Sequence, residues 1–553
     1  MARKGVTRHE VLKLGAASAA SALLPAAATA ARRDGRKNIL FITVDQLRSL
    51  ADVPAALPLP NIYGFRRGAW NFENYHVNQA PCGPSRSVIY TGQHVQKTGV
   101  YTNPPGEYTR DIYDGRAVIE LPPRFPTLGT MLREQGYYTA YKGKWHLSVI
   151  NQNIPGYPYA ANALDSFGFS DYNFDGEVSG LTWEGYGHDG VIAADAVDLL
   201  RSFAKGRTGG KPWFFAINFI NPHDIMYLDT SDDGTPLVNP VGPTKPPPGE
   251  LVYDRDWNFP MPRSFSDDLS TKPAVQRRSR REDTLAKWKD FQNYYFNCIR
   301  DVDRHVGMVL KALDQLGLAQ DTIVVFSADH GEMGGAHGLK GKGAYMYKEC
   351  LRVPLVVRHP DVPRGGTTKA LASAVDLTPT FLSWAGMSEA DRAARYPYLK
   401  GVDLSRDVGD ARARSRRDEA GILFNYMTPS AATPAGRARG GVTEAGTRDL
   451  YRGIFDGRYK FARYFGVDGH NTPTDWASLS SRNDLELYDT QADPDEVVNL
   501  ANDPARRDTL LALNTKLNAM IAREVGVDDA SIYRNRVPAP PPANARPPRG
   551  GAD

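Results

Sequence analysis

Three uninterrupted apolar runs constrain this chain most. Asn38–Val44 reads NILFITV, 213–220 reads WFFAINFI and 322–327 reads TIVVFS. A strand with one wet face alternates apolar and polar residues, whereas a continuous run suits a parallel strand covered on both faces. Helical patterns lie between the runs, at 127–135, 191–203 and 285–316. Strands alternating with helices predict an α/β fold with a mostly parallel sheet flanked by helices. Each run also leads into residues able to hold a ligand: Asp45, then Asn221-Pro222-His223-Asp224, then Asp329-His330-Gly331. In open α/β sheets ligands bind beyond the carboxyl ends of the strands. Three such endings on one sheet edge predict a site there.

A chain of 553 residues exceeds one ordinary domain, and 41% hydrophobic with 24% charged residues is a globular composition. The expected organisation is a catalytic α/β domain over 31–404, a linker over 405–418 and a smaller C-terminal α+β domain over 419–535. The linker is Arg/Gly/Ala-rich. Strand patterns at 421–426 and 451–464 and a helical one at 504–523 define the smaller domain. The Pro- and Asp-rich stretch 227–283 reads as a surface excursion over the site, its arginine run 277–281 solvated. The tail, 536–553, is rich in Pro, Ala and Gly and is expected to be disordered.

Residues 1–30 read as an export signal. Arg3, Lys4, Arg8 and Lys13 precede or open the apolar, small-residue run 14–24, and the alanines up to Ala30 offer a cleavage site. The run is too short to span a bilayer and no other segment reaches that length, so no stable membrane insertion is expected. The stretch 7–13 resembles a twin-arginine signal with His9 in place of the second arginine. The expected location is therefore periplasmic or secreted. Most of the formal net charge of +4 sits in this segment, so the remainder offers no basis for nucleic acid as a partner. The three cysteines, Cys82, Cys298 and Cys350, exclude a disulfide framework. Cys298 and Cys350 read as core residues. Cys82 lies among Pro, Gly and Ser, a loop composition.

Cys82-Gly83-Pro84-Ser85-Arg86 matches the pattern C-x-P-S-R, and through it the chain resembles the formylglycine-dependent sulfatase family of the alkaline phosphatase superfamily. The likeness continues in order. Gly143-Lys144-Trp145-His146-Leu147 resembles GKWHL, Asn221-Pro222-His223 a strand-end histidine, and Asp329-His330-Gly331-Glu332 matches DHGE. The stretch 340–354 resembles a segment supplying a sulfate-binding lysine, and 375–380 and 486–489 resemble later landmarks.

The resemblance implies an alkaline-phosphatase-like mixed sheet and hydrolysis of sulfate monoesters. It implies that a separate maturation enzyme oxidises Cys82 to formylglycine. The aldehyde hydrates to a diol; one hydroxyl attacks sulfur, and the other later expels sulfate without hydrolysis of an ester-linked enzyme. A helical pattern over 86–95 would turn its N-terminus toward an anion. One divalent ion would be held by Asp45, Gln46, Asp329 and His330 with the modified Cys82. Oxygen-rich ligands favour Ca²⁺; Gln46 and His330 depart from the commoner Asp and Asn, and His330 admits Mn²⁺ or another divalent cation. Arg86 would hold the modified Cys82, and Lys144 and Lys342 would clamp sulfate oxygens. Lys340 rivals Lys342, but the family spacing favours Lys342. His146 would act as base on the second hydroxyl, and His223 would protonate the leaving alcohol. His337 reads as structural. Trp183, Tyr186 and Trp257 suit either a pocket wall or ordinary packing. The expected substrate is a small-molecule or saccharide sulfate ester. Gln46 with His330 also fits a phosphonate monoester or phosphodiester hydrolase of the same superfamily, the alternative reading.

The mature chain is expected to begin near Ala31. N-terminal sequencing of exported protein checks this; intact Met1 on cytoplasmic material would remove the signal from the account.

Overall fold

Seven strands build the larger sheet: β1 (Asn38–Val44), β2 (Trp70–His76), β3 (Tyr138–Gly143), β4 (Trp213–Phe219), β5 (Thr322–Ala328), β6 (Leu355–Arg358) and β7 (Gly366–Ser373). Their spatial order is β3-β4-β1-β5-β6-β2-β7. All run parallel except β6, which opposes β5 and β2. The computed structural model describes residues 35–104, 119–123, 125–148, 163–172, 183–228, 252–363, 365–429 and 447–534. The expected export signal, 1–30, and tail, 536–553, lie outside the described residues.

Every residue of β1, β4 and β5 is buried, which is why these runs carry no polar face. In β4, Trp213 and Phe215 pack on Phe203 of helix Glu184–Ala204, and Phe219 stacks near His305 of helix Leu285–Gln315. The alternate residue Phe214 meets Phe381 of helix Leu377–Trp384 on the opposite face. The register levels the strand ends: Val44 lies opposite both Phe219 and Ala328, and Gly143 opposite Asn218. The residues following β3, β4, β1 and β5 therefore emerge along one edge.

The nucleophile motif departs from the expected loop. Helix Cys82–Thr91 begins at Cys82 itself, not at Arg86. Pro84 is compatible because the first helical turn has no intrahelical use for its missing N–H.

A second sheet, ordered β11-β10-β9-β8, is antiparallel throughout: β8 (Ile422–Tyr426), β9 (Leu450–Phe455), β10 (Tyr459–Phe465) and β11 (Asp484–Asp489). Leu423, Ile454, Phe461 and Leu487 form a small core with Leu513, Leu517 and Ile521 of helix Arg507–Glu524. Among the described residues no helix is long and apolar enough to cross a membrane.

One stretch expected at the surface and one expected as a linker are used as joints. In 252–283, Lys272 and Gln276 are buried. Gln276 Nε2 donates to Glu486 at 3.0 Å, and Lys272 Nζ donates to the Val497 carbonyl at 2.6 Å. In 405–418, Arg417 is buried between Asp376, at 2.8 Å, and Glu524, at 2.6 Å. His94 Nε2 lies 3.0 Å from the other Glu524 oxygen. Arg417 thus ties the C-terminal helix to the segment leading into helix Leu377–Trp384. Arg417→Leu should leave two buried carboxylates without their cation and cost about 3–5 kcal/mol. Denaturant unfolding measures it; a loss below about 1 kcal/mol, typical of an exposed pair, would contradict this role.

Candidate active site

Four strand ends and one helix start meet at Cys82. Asp45 and Gln46 follow β1, and Asp329 and His330 follow β5. Lys144 and His146 follow β3, and His223 lies just beyond β4. Gly143 makes the β3 ending possible. Its φ is +85°, and a Cβ there would sit 2.0 Å from the Asn218 carbonyl oxygen. That close approach lets Lys144 N–H donate to the same oxygen at 3.0 Å. Gln46 and His146 both adopt left-handed backbone, φ +71° and +54°. Such conformations disfavour a side chain and persist where surroundings over-determine them.

The chain thus brings together every residue named from the sequence for this site. Cys82 Sγ lies 3.0 Å from Lys342 Nζ, 3.2 Å from His330 Nε2, 3.7 Å from Asp45 Oδ1 and 3.9 Å from Lys144 Nζ. His146 and His223 lie close enough to Cys82 for its thiol to perturb both imidazoles. Lys144 Nζ pairs with Asp45 Oδ2 at 2.7 Å. Arg86 bonds Asp329 at 2.8 Å and Asp45 at 3.3 Å. All these side chains are buried.

Lys340 is not part of the cluster: it pairs with Asp283 and lies over the Trp288 ring. His337 is also elsewhere, 2.8 Å from Asp267 and stacked on Tyr347. Trp257 packs beside Arg255 and Arg300 and donates to Asn297 of the long helix, and Tyr186 packs on Tyr253.

The electrostatics follow from burial beside cations. Burial and Cys82 push the Asp45 carboxyl up, but Lys144, His223 and Lys342 outweigh them and hold it below the usual carboxylate range. Burial likewise opposes ionisation of Cys82, yet Lys144, Lys342 and His330 hold the thiol well below its ordinary value. His223 is pushed down to about 3, by burial first and then by Lys144 and Lys342. His146 is lowered by burial and Lys144. Lys144 is raised, because Asp45 and Cys82 outweigh its burial. The cluster favours anions and keeps its flanking imidazoles neutral at physiological pH.

The donor set fits a divalent cation. Asp45, Cys82, Asp329 and His330 each offer a ligand atom, all within 4.8 Å of one another. His330 Nδ1 lies 2.9 Å from the Gly331 carbonyl, which turns Nε2 toward the cluster, 3.2 Å from Cys82 Sγ. Gln46 is oriented in the same way. Its Nε2 donates to Glu332 at 2.5 Å, which leaves Oε1 facing inward, 2.7 Å from Lys342 Nζ. Glu332 also accepts from Gly334 and Gly341 N–H, at 2.9 and 2.6 Å.

Glu332 was visible in the sequence only as part of a motif, without a role. Asn218 carried no signal at all, being one polar letter in an apolar strand. Its Oδ1 accepts from Tyr90 at 2.8 Å and Arg86 at 3.3 Å, beneath the site.

The comparisons with known proteins agree with this geometry. Residues 37–387 match the family model described as Sulfatase. The ulvan-active sulfatase of Formosa agariphila is 26% identical over 505 residues, covering 88% of this chain and 81% of that protein. The choline-sulfatase of Rhizobium meliloti is 27% identical over 502 residues, covering 85% and 83%. A phosphonate monoester hydrolase from Silicibacter pomeroyi shares the fold, with TM-score 0.62 and 20% identity over 89% of this chain and 96% of its own. The chain belongs to the sulfatase family of sulfuric ester hydrolases.

Proposed function

We propose that this protein hydrolyses sulfate monoesters, with Cys82 converted to formylglycine and one divalent cation bound by Asp45, Gln46, Asp329 and His330. The observation that carries this reading is Cys82 at the helix start within reach of two lysines and two neutral imidazoles. At position 82, held beside Arg86 and Lys144, a hydrated formylglycine would supply one hydroxyl as nucleophile toward sulfur and a second whose deprotonation would release sulfate. The cation supplies charge neutralisation and favours the ionised nucleophile.

The chain's own residues do the rest. Lys144 and Lys342 hold sulfate oxygens as point charges in a water-poor site, where they stabilise developing charge strongly. Arg86, anchored on Asp329 and Asp45, keeps residue 82 and the two carboxylates in register. His223, neutral in the substrate-free site, takes up a proton from solvent as the anionic ester binds, hands it to the departing alcohol and returns to neutral. His146 takes the proton from the second hydroxyl. The maturation enzyme is a required partner, and residues 1–30 direct export, by a twin-arginine-like route.

A sulfate monoester carries one negative charge and a phosphate monoester dianion two. Arg86, Lys144, Lys342 and a single cation suit the lesser charge. Phosphonate monoesters and phosphodiesters are also singly charged, and the shared fold with a phosphonate monoester hydrolase keeps them as the second reading. The relatives' names point to different alcohols, ulvan and choline.

The test compares kcat/KM for matched aryl sulfate, phosphonate monoester and phosphodiester, with choline sulfate and a sulfated saccharide alongside. Sulfates should lead. A phosphonate or diester preference above about tenfold, ~1.4 kcal/mol in the barrier, would install the second reading. Peptide mass spectrometry of active enzyme should find formylglycine at position 82, and chelation should abolish turnover. The two neighbouring lysines should separate cleanly. Lys342→Ala should lower kcat/KM by about 10²-fold or more. Lys340→Ala should lower stability, by leaving Asp283 without its buried ammonium, and spare most of the activity.

A further inference from the structure

The turn carrying His223 is tied down by two buried carboxylates that the proposed chemistry does not use. Asp189 is fully buried in helix Glu184–Ala204. It accepts from the backbone N–H of Ile220 at 2.7 Å and of Asn221 at 2.9 Å. Asp224, the residue after His223, accepts from the N–H of Gly185 and Tyr186, both at 2.9 Å. The helix thus caps the turn and the turn caps the helix.

Each side has a need that the other meets. The N-cap residue, Trp183, makes no side-chain cap, and the first N–H groups of a helix have no intrahelical partner. Ile220 and Asn221 lie past the end of β4, beyond the parallel ladder. The approach is close: a Cβ on Gly185 would stand 2.4 Å from Asn221 Cγ. Asn221 is fixed in turn, since its Nδ2 donates to the Tyr253 hydroxyl at 2.9 Å, which donates to Asp301 at 2.6 Å. Burial pushes both acids up, Asp224 to about 7, so each anchor is defined by the geometry of its two N–H donors and not by full charge. The two anchors bracket His223 at residues 220–221 and 224.

We infer that Asp189 and Asp224 are positioning residues that hold the His223 imidazole beside Cys82, and so set how well esters of poor leaving alcohols are cleaved. This rests on the reading of His223 as the proton donor. In that step sulfur bonds to the hydroxyl oxygen of residue 82 as its bond to the alcohol oxygen breaks, and the proton that His223 took up with the anionic ester moves to that departing oxygen, leaving the imidazole neutral. A nitrophenol leaves readily as its anion and gains little from a proton; an unactivated phenol gains much. Misplacing a catalytic group by about 1 Å costs on the order of 10²-fold.

The experiment uses the mature, full-length enzyme and its Asp189→Asn, Asp224→Asn and His223→Ala variants. It measures kcat/KM for phenyl sulfate and 4-nitrophenyl sulfate, with melting temperatures. In both Asn variants the phenyl to nitrophenyl ratio should fall about tenfold or more, in the direction of His223→Ala, with nitrophenyl turnover within about threefold of the parent. A merely structural role would lower both substrates together and leave the ratio fixed. An unchanged ratio in the Asn variants, while His223→Ala lowers it, overturns the inference. An unchanged ratio in His223→Ala overturns the proton-donor reading, and this inference with it. Should Asp189→Asn fail to fold, Asp224→Asn carries the same comparison, since it loosens the turn from the other side.

Discussion

The structure depends on one buried charge cluster. Asp45 and Asp329 are held against Arg86, Lys144 and Lys342 where water has almost no access. Burying charge is costly, and close pairing offsets the cost only with good geometry and satisfied hydrogen bonds. Here three cations face two carboxylates and a thiol whose ionisation they favour.

Such a cluster demands a rigid frame, and the sheet provides it. Parallel neighbours β4, β1 and β5 end level, so residues far apart in sequence arrive within a few ångströms of Cys82. Beneath them a second layer fixes the orientation of each side chain. Tyr141 and Arg86 both donate to the Lys144 carbonyl, at 2.6 and 2.8 Å. Glu332 selects which end of the Gln46 amide faces inward. Preorganised groups of this kind pay their orientation cost during folding rather than at the moment of reaction.

The smaller sheet is joined to this frame by polar contacts that are themselves buried. Asn78, a few residues before Cys82, donates to the Leu423 carbonyl, and Asn425 N–H donates back to Asn78, both at 2.8 Å. Glu486 of β11 accepts from Tyr488 at 2.6 Å, Tyr464 at 2.7 Å and Gln276 at 3.0 Å. Buried polar networks of this kind specify one arrangement, because a misregistered one would leave charges unpaired. The segments on either side of the nucleophile helix, Asn78 and His94, both take part in such joints.

The apolar runs determined the parallel sheet by themselves, because only a strand covered on both faces can lack a polar period. The C-x-P-S-R and DHGE motifs pointed to Cys82, Asp329 and His330 through their resemblance to a family pattern, and the fold brings those residues together. The family spacing already favoured Lys342 over Lys340, and the tertiary structure supplies the physical reason. Both stand in one glycine-rich segment, and only the fold shows one ammonium captured by Asp283 and the other reaching Cys82. It alone decided that Arg417, in a stretch with linker composition, is a buried tie, and that Asp189 and Asp224 cap each other's elements. The reason is the same in each case. A charged side chain takes its role from the partner it meets, and that partner is brought to it by folding from elsewhere in the sequence.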